Sequence, residues 1–124
     1  MANDKNVKTY DLGERTAKFS EHVLSLVRGV TDSTINRPMI SQLVKSATSV
    51  GANYMEADGA ESKKDFIHKI GICRKEAKET EYWLRIISSG NPDIKSKCDT
   101  LSNEARELSL IFSKIITSSR QNGV

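Results

Sequence analysis

The sequence has few of the residues that β-rich or disulfide-stapled folds require. Its 124 residues include two prolines, seven glycines, two cysteines and only 6% aromatic residues. An all-β domain needs frequent turns and many strand-forming residues, so this composition disfavours one. Two cysteines are too few for a disulfide framework, and Cys73 and Cys98 lack the spacing of metal ligands. We expect both to be small buried thiols in a reducing cytoplasm.

The sequence also lacks long apolar runs and a strong excess of one charge. Its longest uncharged apolar run spans a few residues, so we expect no membrane span, and the N-terminus does not have the pattern of a signal peptide. Nineteen basic and sixteen acidic residues give a net charge of +3, with seven basic and four acidic residues in 62–92. We therefore expect a cytoplasmic protein whose positive excess lies in its third quarter.

Four segments, at about 12–29, 37–58, 63–89 and 92–119, repeat small and apolar residues at alternating steps of three and four. This spacing places one stripe of each helix against its neighbours, and short connections favour antiparallel order. We predict an all-α fold, an antiparallel up-down-up-down four-helix bundle, as a single domain over 1–124 with frayed ends at 1–8 and 120–124. The stripes comprise Leu12, Thr16, Phe19, Val23, Leu26, Val30; Ile40, Leu43, Ala47, Val50, Tyr54, Ala57; Phe66, Ile70, Cys73, Ala77, Thr80, Leu84, Ile87; and Ile94, Cys98, Leu101, Ala105, Leu108, Phe112, Ile115.

Polar residues mark the predicted helix ends. Asn36 is expected to cap the second helix, and Ser62 the third, with Asp65 completing a capping box. Asn91 is expected to cap the fourth helix ahead of Pro92. The first three helices are expected to end in left-handed glycines, namely Gly29, Gly59 and Gly90.

The third and fourth helices carry apolar residues beside their stripes. Two interpretations stay open: wide buried faces within one bundle, or a subunit interface of a homo-oligomer. The additional residues are Ile67, Ile72, Trp83, Ile86, Leu110, Ile111 and Ile116.

A polar stripe lies beside the apolar stripe of the second helix, and two glutamates of the third helix are its candidate partners. We favour a structural hydrogen-bond network that fixes helix register; the alternative is an enzyme or ligand-binding site built on Glu56, Glu76 and Glu79. The predicted network consists of Gln42, Ser46, Ser49, Asn53, Glu56, Glu76 and Glu79.

No pattern of residues indicates catalysis or metal binding. A di-iron bundle needs two Glu-x-x-His motifs and two further glutamates, whereas this chain has only His22 and His68, the latter after Asp65. Neither a nucleophilic triad nor a phosphate-binding glycine loop is present in local sequence. We predict that the protein is not an enzyme and has no catalytic residues, no metal and no cofactor.

Cations recur along one side of the third helix, with Tyr82 near the end of the stripe. Such a stripe can follow a phosphate backbone, and an aromatic ring can stack on an exposed base. The alternative is an ordinary solvated face in which Lys75 pairs with Glu79, and Lys78 with Glu81 or Tyr82. The candidate nucleic-acid-binding residues are Lys63, Lys64, His68, Arg74, Lys75, Lys78 and Arg85.

Two segments carry a family resemblance. The first reads Gln42-Leu43-Val44-Lys45-Ser46-Ala47-Thr48-Ser49-Val50-Gly51-Ala52-Asn53-Tyr54-Met55-Glu56-Ala57. The second combines Ser62-Lys63-Lys64-Asp65-Phe66 with Lys75-Glu76-Ala77-Lys78-Glu79-Thr80-Glu81-Tyr82-Trp83-Leu84. From about Lys18 to Ile116, the chain resembles the bacterial four-helix-bundle family of 23S rRNA-intervening sequence proteins, also called the S23 ribosomal protein family.

The resemblance implies an assembly and a set of partners. It implies a ring-shaped homopentamer, a gene often placed in an insertion of 23S rRNA, and kinship with a basic accessory protein of diversity-generating retroelements. That relative works with a reverse transcriptase and binds nucleic acid. Our leading hypothesis is a non-enzymatic homo-oligomer that binds RNA or DNA weakly. The alternative is a protein-interaction scaffold acting with a partner protein such as a reverse transcriptase.

Overall fold

Four α-helices account for most of the chain in the computed structural model, which describes residues 11–121. They are α1 (Leu12–Arg28), α2 (Asn36–Asp58), α3 (Lys63–Gly90) and α4 (Lys95–Gln121), with a short 3-10 turn at Pro92–Ile94 before α4. Within this part of the chain there is no β-strand. The all-α, four-helix prediction is confirmed, and only the fourth helix starts later than the sequence pattern indicated.

Where two neighbouring helices touch, later residues of one helix contact earlier residues of the other. Ser46 of α2 contacts Thr80 of α3, whereas Glu56, further along α2, contacts Lys69, which comes earlier in α3. This reversal makes α2 and α3 antiparallel, and the same reversal relates α3 to α4 and α1 to α2. For α3 and α4 the contacts are Arg74 with Ser113 and Glu81 with Arg106. For α1 and α2, Ser20 contacts Ala47, and Gly13 lies beside Tyr54.

The core lies between the four helices and is built from the predicted stripes. Phe19, Leu43, Ile70 and Phe112, one from each helix, are all fully buried, together with most of the other stripe positions. Val30, Ile40, Tyr54, Phe66 and Ile115 are half-buried and pack against this cluster. Every buried side-chain nitrogen and oxygen within residues 11–121 has a hydrogen-bond partner.

Helix starts differ from the expected caps in two places. The Ser62 hydroxyl accepts a hydrogen bond from Asp65 N at 3.0 Å, which confirms that cap. Asn36 is instead the first residue of α2 and is buried, so the prediction that it caps the helix is wrong. Asn91 makes no side-chain cap for the 3-10 turn.

The glycines near the helix ends are not in the expected left-handed conformation. Gly29 and Gly59 have φ of −89° and −96°. Gly90 is the last residue of α3 itself, and Asn91 follows it as the cap. These helices therefore end without the left-handed turn that the sequence pattern predicted.

Helix α1 is the shortest of the four, with 17 residues, and its contact with α4 is the least extensive between neighbouring helices. Arg15 bridges this gap: its Nε donates to Glu104 Oε2 at 2.7 Å and its Nη2 to Glu104 Oε1 at 2.8 Å. Nη2 also donates to Glu107 at 3.0 Å. The hydrogen bonds to Glu104 raise the pKa of Arg15 above its usual value, so Arg15 keeps its charge. We call this interaction of Arg15 with Glu104 and Glu107 the Arg15 clamp.

Most of the additional apolar residues belong to the bundle itself. Ile116 is buried, and Ile67, Trp83 and Ile111 are half-buried against the core. These four fit wide buried faces, whereas Leu110 remains 64% exposed on the outer side of α4. Ile72 and Ile86 are half-buried on α3.

The predicted fraying concerns residues 1–8 and 120–124, of which only Arg120 and Gln121 are described. Residues 1–8 and 122–124 lie outside the described residues, whereas Arg120 and Gln121 belong to α4. Between residues 11 and 121, none of the helices combines the length and apolarity that a bilayer crossing requires.

Candidate nucleic-acid interface

The outer side of α3 carries most of the predicted cations. Six of the seven candidates have exposed side chains, and we call this set the basic face: Lys63, Lys64, His68, Lys75, Lys78 and Arg85. At 1.5 Å of rise per residue, the distance from Lys64 to Lys78 along the helix is about 21 Å. The basic face is therefore a long, open surface.

Glu79 and Glu81 do not neutralise the lysines at the centre of this face. Glu79 accepts a hydrogen bond from Trp83 Nε1 at 3.1 Å, and Glu81 pairs with Arg106 of α4 at 3.4 Å. Within residues 11–121, neither Lys75 nor Lys78 forms an ion pair with a carboxylate. The pairs expected for an ordinary solvated face, between Lys75 and Glu79 and between Lys78 and Glu81, are not formed.

Tyr82 lies one turn after Lys78 and is 55% exposed. Its ring meets that of Trp83 edge-on, with centroids 5.0 Å apart and planes inclined by 76°. Trp83 is half-buried against the core and its indole is held by Glu79. Trp83 thus supports the Tyr82 ring while leaving more than half of Tyr82 in solvent.

Two other cations of α3 point to neighbouring helices. Arg74, a candidate from the sequence, is half-buried, and its Nη1 donates to Ser113 Oγ of α4 at 3.4 Å. Lys69 donates to Glu56 of α2 at 2.7 Å, and this hydrogen bond raises the pKa of Lys69. Both residues link helices, and we leave them out of the basic face.

The predicted polar network divides into separate interactions. Thr80 Oγ1 donates to Ser46 Oγ at 2.9 Å in the buried contact between α2 and α3. Asn53 donates to Ser49 O of its own helix at 2.8 Å rather than to Glu76 or Glu79. Ser49 donates to the backbone of its own helix, Gln42 is exposed and Glu76 is half-buried. Of the predicted network, Ser46 and Glu56 therefore contact α3, while the Asn53 amide forms its hydrogen bond within α2.

The three carboxylates considered for acid-base chemistry do not meet in one cavity. A groove of about 490 Å³ at the turn between α2 and α3 is lined by Glu56 and Lys69, but not by Glu76 or Glu79. Among residues 11–121, no three histidine, cysteine or carboxylate side chains are grouped to hold a metal ion.

Both cysteines are buried in the core. Burial raises the pKa of the Cys73 thiol to about 12 and that of Cys98 to about 11. Both side chains are therefore protonated at neutral pH, and neither has the thiolate that nucleophilic or metal chemistry uses.

Sequence reasoning missed residues that border the basic face from α4. Arg106 and Lys95 lie across a groove from Tyr82 and Arg85. No local signal could have found them, because their positions depend on how α3 and α4 are aligned. Arg106 pairs with Glu81 of α3, and Lys95 pairs with Asp99 within α4.

Comparison with known proteins agrees with this architecture. None of the curated proteins is significantly similar in sequence to this chain. A crystal structure of a protein of unknown function of the S23 ribosomal protein family, from Bacteroides thetaiotaomicron, is 30% identical and superposes with a TM-score of 0.73, covering 84% of this chain and 96% of that one. The family model for the 23S rRNA-intervening sequence protein matches residues 8–114. The chain therefore belongs to the 23S rRNA-intervening sequence protein family.

Proposed function

We propose that this protein is a non-enzymatic, homo-oligomeric four-helix bundle that binds RNA or DNA weakly through the basic face. The proposal assigns it no catalytic step, metal or cofactor. The observation that carries it is that Lys64, Lys75 and Lys78 lie exposed along one side of α3 and, within residues 11–121, have no carboxylate partners. An unpaired, exposed lysine keeps its full attraction for phosphate, because no local carboxylate has to be displaced first.

The affinity of one chain is expected to be low. Three lysines neutralise few phosphates, and the net charge of the whole chain is only +3. Placing several copies of the basic face in one assembly raises the overall affinity without any new contact, because the later contacts become intramolecular. Weak binding per chain and self-association thus support one function.

Exposed apolar side chains on other helices support self-association. Leu110 of α4 is 64% exposed, and Met55 of α2 is 61% exposed. Covering these side chains with another copy would remove apolar surface from water, which is favourable. The family resemblance makes a homopentamer the specific expectation.

Binding is tested by reversing the charge of three lysines of the basic face. The variant Lys64→Glu, Lys75→Glu and Lys78→Glu changes the net charge from +3 to −3, since each replacement removes two units. It should abolish the gel shift of a structured rRNA fragment. The matched control is Lys18→Glu, Lys45→Glu and Lys97→Glu, which makes the same change at exposed lysines of α1, α2 and α4 and should keep the shift. Equal loss in both variants would reject the assignment to the basic face.

The assembly is tested by light scattering coupled to gel filtration. A homopentamer would have about five times the 13.8 kDa of one chain, and Leu110→Lys should lower that mass if α4 is part of the interface. A monomeric wild-type protein would remove the oligomer from the proposal. In a pull-down, a stoichiometric protein partner such as a reverse transcriptase, without nucleic acid, would favour the scaffold function instead.

A further inference from the structure

A groove of about 540 Å³ runs between α3 and α4 beside the basic face. We infer that it holds an unpaired nucleotide of RNA or single-stranded DNA, with the base stacked on Tyr82 and a phosphate bound by Arg85. This inference rests on the proposed function and specifies the strandedness of the ligand. The residues used in the argument are Glu81, Tyr82, Arg85, Lys95, Asp99 and Arg106, all of which line the groove.

The size of the groove and its position fit a nucleotide. Pockets for small ligands have volumes of about 300 to 1,000 Å³, and this groove falls within that range. Arg85 belongs to the basic face and also lines the groove, so a strand following Lys75 and Lys78 reaches the groove without changing helix. The groove therefore continues the path of the lysines.

Tyr82 gives the groove its preference for single strands. More than half of this side chain is in solvent, and its edge-on contact with Trp83 leaves part of the ring open. A flat ring exposed in this way can stack on a base that is not already stacked in a duplex. The bases of a duplex are already stacked on one another, so a duplex would present its phosphates to the groove and would not stack on Tyr82.

The charges of the groove favour an anionic ligand. Three cations line it against two carboxylates, and those carboxylates are already paired with Arg106 and Lys95. Arg85 is exposed and, within the described part of the chain, forms no ion pair. Its guanidinium can donate two parallel hydrogen bonds to a phosphate.

The groove between α1 and α4 has the opposite charge. It has a similar volume, about 560 Å³, but Arg15 and Lys18 face four carboxylates there. Arg15 is also occupied by two of them, Glu104 and Glu107. A polyanion is repelled from this groove and attracted to the groove between α3 and α4, although both are open to solvent.

Fluorescence anisotropy with labelled oligouridine, oligodeoxythymidine and a DNA duplex tests the inference. Tyr82→Ala should weaken binding of both single strands by about tenfold, because base–aromatic stacking is lost, while Tyr82→Phe should bind as the wild type does. Duplex binding should not depend on Tyr82. Arg85→Gln should weaken single-strand binding, whereas Arg28→Gln, an exposed arginine of α1, should not.

Tryptophan fluorescence of the wild type gives a second measurement, which needs no substitution and so does not depend on whether a variant folds. Trp83 is the only tryptophan of the chain, and its ring centroid lies 5.0 Å from that of Tyr82, so oligouridine should quench its fluorescence in the wild type. Equal binding of single strands and duplex, unchanged by Tyr82→Ala and Arg85→Gln, would overturn the inference while leaving the basic face as the binding surface. Loss of binding only in the triple lysine variant would overturn it in the same way. Absence of binding by the wild type to every probe would overturn both proposals.

Discussion

Asn36 and Asn91 exchange side-chain hydrogen bonds at the end of the bundle where α2 begins and α3 ends. Asn36 Nδ2 donates to Asn91 Oδ1 at 3.3 Å, and Asn91 Nδ2 donates to Asn36 Oδ1 at 3.0 Å. The second hydrogen of each amide group is also used, by Thr31 O at 2.8 Å and Ile87 O at 2.9 Å. The pair therefore joins the start of α2 to the connection after α3 and fixes how these helices align.

Replacing Asn36 by aspartate tests this pair. Asn36→Asp should lower the free energy of unfolding by about 2 kcal/mol, because a carboxylate cannot donate to Thr31 O or Asn91 Oδ1 and carries a charge into a buried site. Urea denaturation followed by circular dichroism measures the change. The same replacement at the exposed Asn103 should change stability by less than about 0.5 kcal/mol. Equal effects at the two positions would show that the amide pair contributes nothing specific.

Removing the Arg15 clamp should loosen the contact between α1 and α4. Arg15→Met keeps the length of the side chain but removes the two-pronged interaction with Glu104, and we expect a loss of about 1 kcal/mol in urea denaturation. The control is Arg37→Met, which breaks an equally short but mostly exposed pair between the first turn of α2 and Asp32 in the connection just before it. That control should cost close to zero. A larger loss for Arg37→Met would contradict the role given to Arg15.

Two glycines within helices should respond oppositely to alanine. A Cβ at Gly71 would meet nothing within 4 Å, so Gly71→Ala should stabilise the protein by about 0.5 to 1 kcal/mol through helix propensity. A Cβ at Gly51 would lie 3.2 Å from Thr16 Oγ1 and 3.3 Å from Thr16 Cβ. Thr16 is fully buried and bonded to Leu12 O, so Gly51→Ala should destabilise. Thermal unfolding of both variants decides, and stabilisation by Gly51→Ala would show that α1 and α2 are less closely packed.

The raised pKa of the buried Cys73 thiol predicts a loss of stability at alkaline pH. The unfolded chain releases this proton near the ordinary value of 9.0, whereas the folded chain holds it until about pH 12. Stability is therefore complete below the unfolded pKa and falls as the pH rises above it. From about pH 8 to about pH 10, the wild type should lose about 1.4 kcal/mol more than Cys73→Ala.

The alkaline prediction is measured with urea denaturation at each pH. Cys73→Ala removes the ionising group and some packing, so only the pH-dependent part of the difference is compared. Parallel curves for the two proteins would contradict the assigned cause.

The periodicity of apolar residues was sufficient to predict the helices and most of the core. Stripe residues such as Phe19, Leu43 and Phe112 are buried because steps of three and four keep them on one side of a helix. The same periodicity placed Ile115 in the stripe and left the adjacent Ile116 beside it, which is the reverse of their burial, because the choice depends on which neighbour α4 faces. Ile116 is buried and Ile115 is half-buried.

Side-chain partners were harder to predict than helices. The sequence placed Lys75 and Lys78 on the solvent side of α3 from spacing alone. The alternative of an ordinary solvated face paired Lys75 with Glu79, and Lys78 with Glu81 or Tyr82. In the structure Glu79 binds Trp83 of the same helix, a choice between neighbours that spacing alone does not decide, and Glu81 binds Arg106 of α4. Asn36 and Asn91 are separated by 55 positions, so no rule for capping one helix reveals their contact. The contacts of Glu81, Asn36 and Asn91 depend on the alignment of neighbouring helices.

The salt dependence of binding tests the role of the basic face most directly. The logarithm of the binding constant for single-stranded RNA should fall linearly with the logarithm of salt concentration, with a slope of about 0.7 for each phosphate contacted. In Lys64→Gln, Lys75→Gln and Lys78→Gln, we expect a slope shallower by about 2, because three contacts are lost. Lys18→Gln, Lys45→Gln and Lys97→Gln should keep the wild-type slope. Identical slopes in the two variants would contradict the account.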